Sequence, residues 1–270
     1  MRRPSPAAVR WIMLAALLFL WESIPKTGLL PELFLPSLSK TLTVLYQDRQ
    51  IYFEALLVTL YEIGMAMLIS CGLGTLVGAL VGGLSVLRNL LLPVFSSLYA
   101  VPIVILYPIM TAWLGVGSQS KIVFAGIYAF FPVMLSTAAG IRSIEPQFIL
   151  AARSMGASVP QLITRVIIPA SVPTVFLALR FGGALTIIGV VVSEMLTSAA
   201  GIGYLVTLNR TILDSPRVFA AILMILVLAV GYYMLARAIE RRMVVWQSVG
   251  RQQAAGRCER AAGVPAAQAA

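Results

Sequence analysis

Long uncharged apolar runs alternate with short charged segments along most of this chain. Asp, Glu, Lys and Arg are all missing from four runs, residues 63–87, 89–120, 122–141 and 218–236. A helix that crosses ~30 Å of hydrocarbon needs about 20 predominantly apolar residues. The pattern predicts an all-α membrane protein with six spans, near residues 9–25, 58–85, 90–114, 121–142, 174–196 and 217–237.

Two of these runs carry internal features. Pro93, Pro102 and Pro108 interrupt the third run, so we expect either a simple kink or a broken segment that lines a path, with Pro102 in that path. In the second run small residues recur at every fourth position, from Ser70 to Gly82. This spacing favours close helix packing, either within the chain or against a second subunit.

The composition agrees with a membrane protein. Hydrophobic residues make up 60% of the 270 residues and charged residues 11%, more apolar surface than a soluble domain of this size can bury. With the N-terminus inside, the inner segments hold 13 Lys and Arg residues and the outer segments 6, and Arg180 remains inside a span. The net charge of +10 therefore fits the positive-inside rule with both termini cytoplasmic, and we expect no nucleic-acid partner.

We divide the chain into a cytoplasmic N-terminus (residues 1–8), a six-span domain (9–240) and a cytoplasmic tail (241–270). The first apolar run resembles a signal peptide, but no small-x-small cleavage site follows it. We interpret it as an uncleaved anchor. The tail is rich in Ala, Gln, Gly and Arg without an apolar period, which predicts disorder.

The sequence lacks the residues that catalysis or nucleotide binding would need. It contains no His, which removes His-based metal sites and general bases. It also has no Gly-x-x-x-x-Gly-Lys-Ser/Thr phosphate loop. We expect no intrinsic catalysis, no metal site and no bound cofactor, so energy must come from a partner or from an ion gradient.

A charged stretch, residues 143–172, separates the fourth and fifth spans. Pro146 suits the first turn of a short helix, which we expect to end near Ser154. Gly156 suits the left-handed position after a helix end. The stretch therefore predicts a tight turn that requires glycine.

A second helix is predicted directly after this turn. Ser158 and Gln161 have the spacing of a capping box, and we expect Pro169 and Pro173 to end the helix before the fifth span. On physical grounds alone, the two helices could rest on lipid headgroups or offer a docking surface to a soluble partner.

The same stretch resembles the inner-loop motif of permease subunits of binding-protein-dependent ABC importers. The family pattern is Glu-Ala-Ala, three residues, Gly, nine residues, Ile, one residue, Leu-Pro. This chain has Leu150-Ala151-Ala152, Gly156, Val166 and Ile168-Pro169 at these spacings. Leu150 replaces the motif Glu, which puts one polar contact of the motif in doubt.

The resemblance extends over about residues 35–240 and is closest to the subgroup that imports nitrate, sulfonates and taurine. The segments that carry it are Pro102 to Gly117 with Ser120-Lys121, Ala152 to Ser158, Leu179-Arg180, and Ser193-Glu194-Met195 with Gly201-Ile202-Gly203.

The resemblance implies a type I importer permease in a bacterial inner membrane, with no catalytic activity of its own. Its loop would supply a coupling helix that docks on a cytoplasmic ATPase, which would use ATP and Mg. An external binding protein would deliver the solute, and two copies of the chain would form a homodimer in the lipid. The implied docking residues are Ala151, Ala152, Arg153, Gly156, Ala157, Ser158, Gln161, Arg165 and Pro169.

Ionisable residues at membrane depth are costly and often functional. Arg180 and Glu194 lie 14 residues apart in the fifth run, so on one helix they would share a face ~21 Å apart and could not pair. Arg180 could be an anchor at the inner surface, and Glu194 a structural contact near the outer end. The alternative is contact with solute, for which the candidates are Pro102, Arg180, Thr186, Ser193 and Glu194.

We therefore expect a transport subunit for a small solute such as nitrate, a sulfonate or taurine. The alternative is an ion-coupled secondary transporter, for which only Glu62, Arg180 and Glu194 are available as buried ionisable groups.

Overall fold

The computed structural model describes residues 5–28 and 30–261, with the backbone alone for residues 6–7 and 243–261. This described part folds into ten helices and contains no strand. The helices are α1 (Pro6–Lys26), α2 (Leu38–Gln47), α3 (Arg49–Gly83), α4 (Ser85–Tyr99), α5 (Ile103–Leu114), α6 (Ser118–Arg142), α7 (Pro146–Ser154), α8 (Val159–Leu196), α9 (Ile202–Thr211) and α10 (Ser215–Ala261).

The prediction of six spans is confirmed. Five of the described helices are each long and apolar enough to cross a membrane, namely α1, α3, α6, α8 and α10. The sixth span is the pair α4 and α5, which bend by 76° at a short break. This break contains Pro102, so the third apolar run is a broken segment.

Helix α6 lies at the centre of the bundle and packs on the small-residue stripe of α3. A Cβ at Gly78 would lie 2.5 Å from the carbonyl oxygen of Met134, and a Cβ at Gly82 would lie 2.9 Å from the Cα of Ala138. Only glycine permits this approach of the two backbones. The stripe therefore packs within one chain, as the first of the two alternatives predicted.

The fifth span departs from the prediction, because Pro169 and Pro173 do not end a helix. Helix α8 runs without interruption from Val159 to Leu196. A proline ring clashes with the carbonyl four residues earlier, which for Pro169 belongs to Arg165. Arg165 lies in a π-helical turn, Ile163–Ile167, where the wider i→i+5 spacing accommodates the ring.

Part of the tail for which disorder was predicted is helical in this structure. Helix α10 continues past the membrane-spanning segment to Ala261. The tail residues Ala, Gln, Arg and Glu are strong helix formers that can extend a helix already begun. Residues 262–270, like residues 1–4, lie outside the described part of the chain.

Candidate functional site: the loop and a buried polar cluster

The loop between α6 and α8 forms the predicted tight turn. Gly156 has φ +77°, a left-handed conformation in which L side chains are strained. The Gly156 amide donates to the Arg153 carbonyl at 2.9 Å, and the Ala157 amide donates to the Ala152 carbonyl at 3.0 Å. This pair of bonds is a Schellman motif, which satisfies the last carbonyls of α7. We call the end of the bundle that carries this turn the loop end.

The start of α8 agrees with the predicted cap. The Ser158 amide donates to Gln161 Oε1 at 2.9 Å, the reciprocal bond of a capping box. Most of the predicted docking residues are exposed around this turn, namely Ala151, Arg153, Gly156, Ser158, Gln161, Arg165 and Pro169. Ala157 is half-buried, and Ala152 is only 4% exposed because α7 folds back on the start of α8.

Four large apolar side chains on this loop are exposed and were not among the predicted docking residues. They are Phe148, Leu150, Met155 and Val159, of which Met155 is 82% exposed. Met adapts its shape to a partner surface, and exposed apolar patches mark interaction sites. The available signal was an apolar side chain at four positions of this charged loop, one of which, Leu150, replaces the motif Glu.

Three of the predicted path residues are buried inside a single chain. Thr186 and Ser193 are 0% exposed and Glu194 is 1% exposed. Thr186 Oγ1 lies 3.0 Å from Ser70 Oγ of α3, and Ser193 Oγ donates to the Val190 carbonyl at 2.7 Å. The first contact joins α3 to α8 and the second lies within α8, so neither hydroxyl group is presented to a solute in this structure.

The other two predicted path residues are accessible. Pro102 is exposed at the break between α4 and α5. Arg180 is partly exposed, and its guanidinium pairs with Glu240 of α10 at 2.7 Å. The Cζ atom of Arg180 also lies 5.5 Å from the centroid of the Tyr233 ring.

A buried ion pair links α3 to α6 toward the end of the bundle opposite the loop. Lys121 Nζ lies 2.5 Å from Glu62 Oε1, and the two side chains are 3% and 0% exposed. Lys121 Nζ also donates to Ser198 Oγ at 3.0 Å and to the Ala200 carbonyl at 3.3 Å. Lys121, which stands at the start of the fourth predicted span, is buried because these three partners draw its side chain into the bundle.

A second set of bonds joins α3 and α8 to the start of α9. Thr59 Oγ1 donates to Glu194 Oε1 at 2.7 Å, and the Gly203 amide donates to Glu194 Oε2 at 2.8 Å. The Ile202 amide donates to Thr59 Oγ1 at 2.9 Å. A carboxylate at the first turn of a helix is stabilised by the free amides and the helix dipole.

We call Thr59, Glu62, Lys121 and Glu194 the polar cluster. It ties three spans to residues 197–203, the turn that leads from α8 into α9. Gly201 has φ +106°, and a Cβ there would overlap the Glu194 carboxylate. Two of the segments that carry the family resemblance are therefore in contact, namely Ser193-Glu194-Met195 and Gly201-Ile202-Gly203.

The described residues show no arrangement that would hold a metal ion, since no group of three or more His, Cys, Asp and Glu side chains comes together in them. Sequence reasoning identified Glu62 and Glu194 but missed the partnership of Glu62 with Lys121. The available signal was charge complementarity between an unpaired acid and an unpaired base at the ends of two apolar runs.

Comparison with known proteins agrees with this architecture. Residues 72–245 match the family model "Binding-protein-dependent transport system inner membrane component". The chain is 28% identical over 237 residues to the putative aliphatic sulfonates transport permease protein SsuC of Bacillus subtilis (strain 168), covering 87% of this chain and 86% of the relative. It is 31% identical over 241 residues to the taurine transport system permease protein TauC of Escherichia coli (strain K12), covering 86% and 87%.

The fold matches a solved structure as well. A chain of the MetNI methionine ABC transporter, in an inward-facing conformation, superposes with a TM-score of 0.66 at 16% identity, covering 73% of this chain and 98% of that chain. This likeness concerns the fold alone. The family match lends no support to the ion-coupled alternative. With six spans, a glycine-closed loop and a family model that covers most of its length, the chain belongs to the inner-membrane permease components of binding-protein-dependent transport systems.

Proposed function

We propose that this chain lines the translocation path of an ATP-driven importer and that its loop end docks a cytoplasmic ATPase. The observation that carries the proposal is the loop itself. A short helix and a glycine-closed turn place Met155, Leu150 and Phe148 on an exposed apolar surface. Apolar groups on a rigid, capped turn suit insertion into a groove of a soluble partner.

ATP hydrolysis belongs in this proposal to the partner. The chain has no phosphate loop and no His, so a partner ATPase would bind ATP and Mg. Closure of two ATPase subunits would push on the loop, and α8, which continues from the loop through the bundle without a break, would carry the motion to the opposite end.

We further propose that two copies assemble around the path. No residue of α4 is buried within one chain, and Trp113 of α5 is 82% exposed. A helix with no fully buried residue in one copy is suited to a second copy or to the solute path as well as to lipid. In this arrangement the bent pair and Pro102 would lie near the path.

The names of two relatives support a substrate class. These names specify aliphatic sulfonates and taurine, both small sulfonates. We propose a small sulfonate for this chain, delivered by an external binding protein. The distribution of basic residues supports a bacterial inner membrane with both termini in the cytoplasm.

The test is capture of the tagged chain from native membranes in mild detergent, with identification of the co-purifying proteins. Wild type should recover a phosphate-loop ATPase, and Gly156→Asp should lose it, because Asp strains the left-handed turn and adds charge to an apolar docking surface. Gly115→Asp is the matched control. Gly115 also has a positive φ, +83°, but it lies between α5 and α6, away from the loop.

ATPase capture that survives Gly156→Asp would contradict docking at this loop. Capture of no ATPase by any of the three proteins would contradict the ATP-driven mechanism.

A further inference from the structure

A cavity lies between α6, α8 and α10, next to the ion pair of Arg180 and Glu240. Its volume is about 430 Å³, and its lining includes Ser136, Thr174, Phe181 and Tyr233 as well as Arg180. A neighbouring cavity of about 270 Å³ shares Arg180 and is otherwise almost wholly apolar. Cavities of this size with a few polar groups are typical of small-molecule sites.

Arg180 is held in place beside the cavity. The Tyr232 hydroxyl donates to the Leu179 carbonyl at 3.1 Å, which fixes the backbone directly before Arg180. Gly183 allows this contact, because a Cβ there would overlap the Tyr232 hydroxyl. The Tyr233 ring lies against the guanidinium. An arginine restrained in this way loses little further entropy when it binds an anion.

Glu240 can leave Arg180 at a small cost. Both side chains remain more than a quarter exposed, at 29% for Arg180 and 28% for Glu240. Ion pairs of this kind contribute ~0–1 kcal/mol. Arg237 lies one turn earlier on α10, at i−3 from Glu240, and forms no ion pair among the described residues. At this spacing Arg237 can form an ion pair with the Glu240 carboxylate after Glu240 separates from Arg180.

Two hydroxyl groups complete the site. Ser136 and Thr174 line the cavity, and neither is fully buried. Their side chains make no hydrogen bond within the described part of the chain. A guanidinium with two free hydroxyl donors matches the three oxygens of a sulfonate, because charge-assisted bonds from Arg to an oxyanion are directional and strong.

We propose that Arg180, Ser136 and Thr174 bind an oxyanion headgroup, and that Glu240 occupies the guanidinium until this anion replaces it. The choice of a sulfonate as the anion rests on the proposed function. A phospholipid phosphate offers the same chemistry, with its acyl chain in the apolar neighbouring cavity.

The experiment measures binding of ethanesulfonate and of taurine to the purified full chain in phosphatidylcholine nanodiscs, without ATP or binding protein. Arg180→Gln should lower the affinity about tenfold or more, since a charge-assisted bond is lost. Glu240→Gln should raise the affinity about threefold, since a competitor is removed. Arg241→Gln, which changes the same charge on an exposed neighbour of Glu240, should leave the affinity unchanged.

Opposite changes of anion affinity in Arg180→Gln and Glu240→Gln distinguish an exchangeable site from a purely structural ion pair. If the pair is only structural, Arg180→Gln and Glu240→Gln will change binding and melting temperature in the same direction, and the proposal is overturned. Absence of binding to wild type also overturns it, unless phosphatidylglycerol nanodiscs raise the melting temperature of wild type and not of Arg180→Gln. That result would support the site with a lipid phosphate as its ligand.

Failure of this site and failure of the proposed function give different results. If uptake is driven by ATP but Arg180→Gln binds the anion as tightly as wild type, the proposed function is supported and this site is overturned. If the affinity falls in Arg180→Gln and rises in Glu240→Gln but no ATPase is captured, the site is supported and the importer mechanism is overturned.

Discussion

Replacing Lys121 by Met tests whether the polar cluster stabilises the bundle. The substitution keeps the length of the side chain and removes its charge. It leaves the carboxylate of Glu62, which is 0% exposed, without its cation. Apart from this ion pair, neither Glu62 oxygen accepts a hydrogen bond within the described residues.

The expected cost follows from the geometry. Breaking a buried pair by removing one partner typically costs ~3–5 kcal/mol. The bonds from Lys121 to Ser198 and Ala200 are lost as well. We therefore expect Lys121→Met to lower the free energy of unfolding by about 4 kcal/mol.

The assay is reversible unfolding of the purified chain in mixed micelles, followed by circular dichroism. The double variant Glu62→Leu/Lys121→Met should recover most of the loss, because it removes both buried charges. Lys40→Met is the matched control, since Lys40 pairs with Glu32 where both side chains are more than half exposed. It should cost less than about 1 kcal/mol. A loss of that small size in Lys121→Met, or no recovery in the double variant, would refute the reasoning.

Two further predictions concern close packing and the start of α9. Gly82→Ala should destabilise the chain by ~1–3 kcal/mol because its Cβ would lie 2.9 Å from the Ala138 backbone. The control Gly83→Ala should be neutral or slightly stabilising, since its Cβ would meet nothing within 4 Å. Equal melting temperatures for the two variants would contradict the packing of α3 on α6. Glu194→Ala should leave the Gly203 amide without its acceptor and lower the free energy of unfolding by ~1–3 kcal/mol. Hydrogen exchange at the Ile202 and Gly203 amides should become faster than in wild type, while exchange at the Ala152 and Ala157 amides should not change. Unchanged exchange at the start of α9 would show that Glu194 does not hold it.

Features that depend on local sequence were predictable. The number of spans follows from the length of apolar runs, and the bend of the third span from its prolines. The turn at Gly156 follows from the φ that only glycine adopts readily. Each of these depends on residues within about one helix length, so a single stretch of sequence contains the whole cause.

Features that depend on partners far apart in sequence were not. Glu194 meets Thr59 across 135 residues, and Arg180 meets Glu240 across 60 residues. Helical periodicity places Arg180 and Glu194 on a face, but it does not say which helix packs there. Pro169 is a different case, because a π-helical turn directly before it cancels its usual effect on a helix.

The sequence alone thus determined a six-span permease with a glycine-closed loop, because lipid and backbone sterics act on each segment separately. Only the tertiary structure decided which polar groups are buried in pairs and which remain accessible. A charge inside a membrane protein is stable only beside its partner, and that partner is chosen by helix packing.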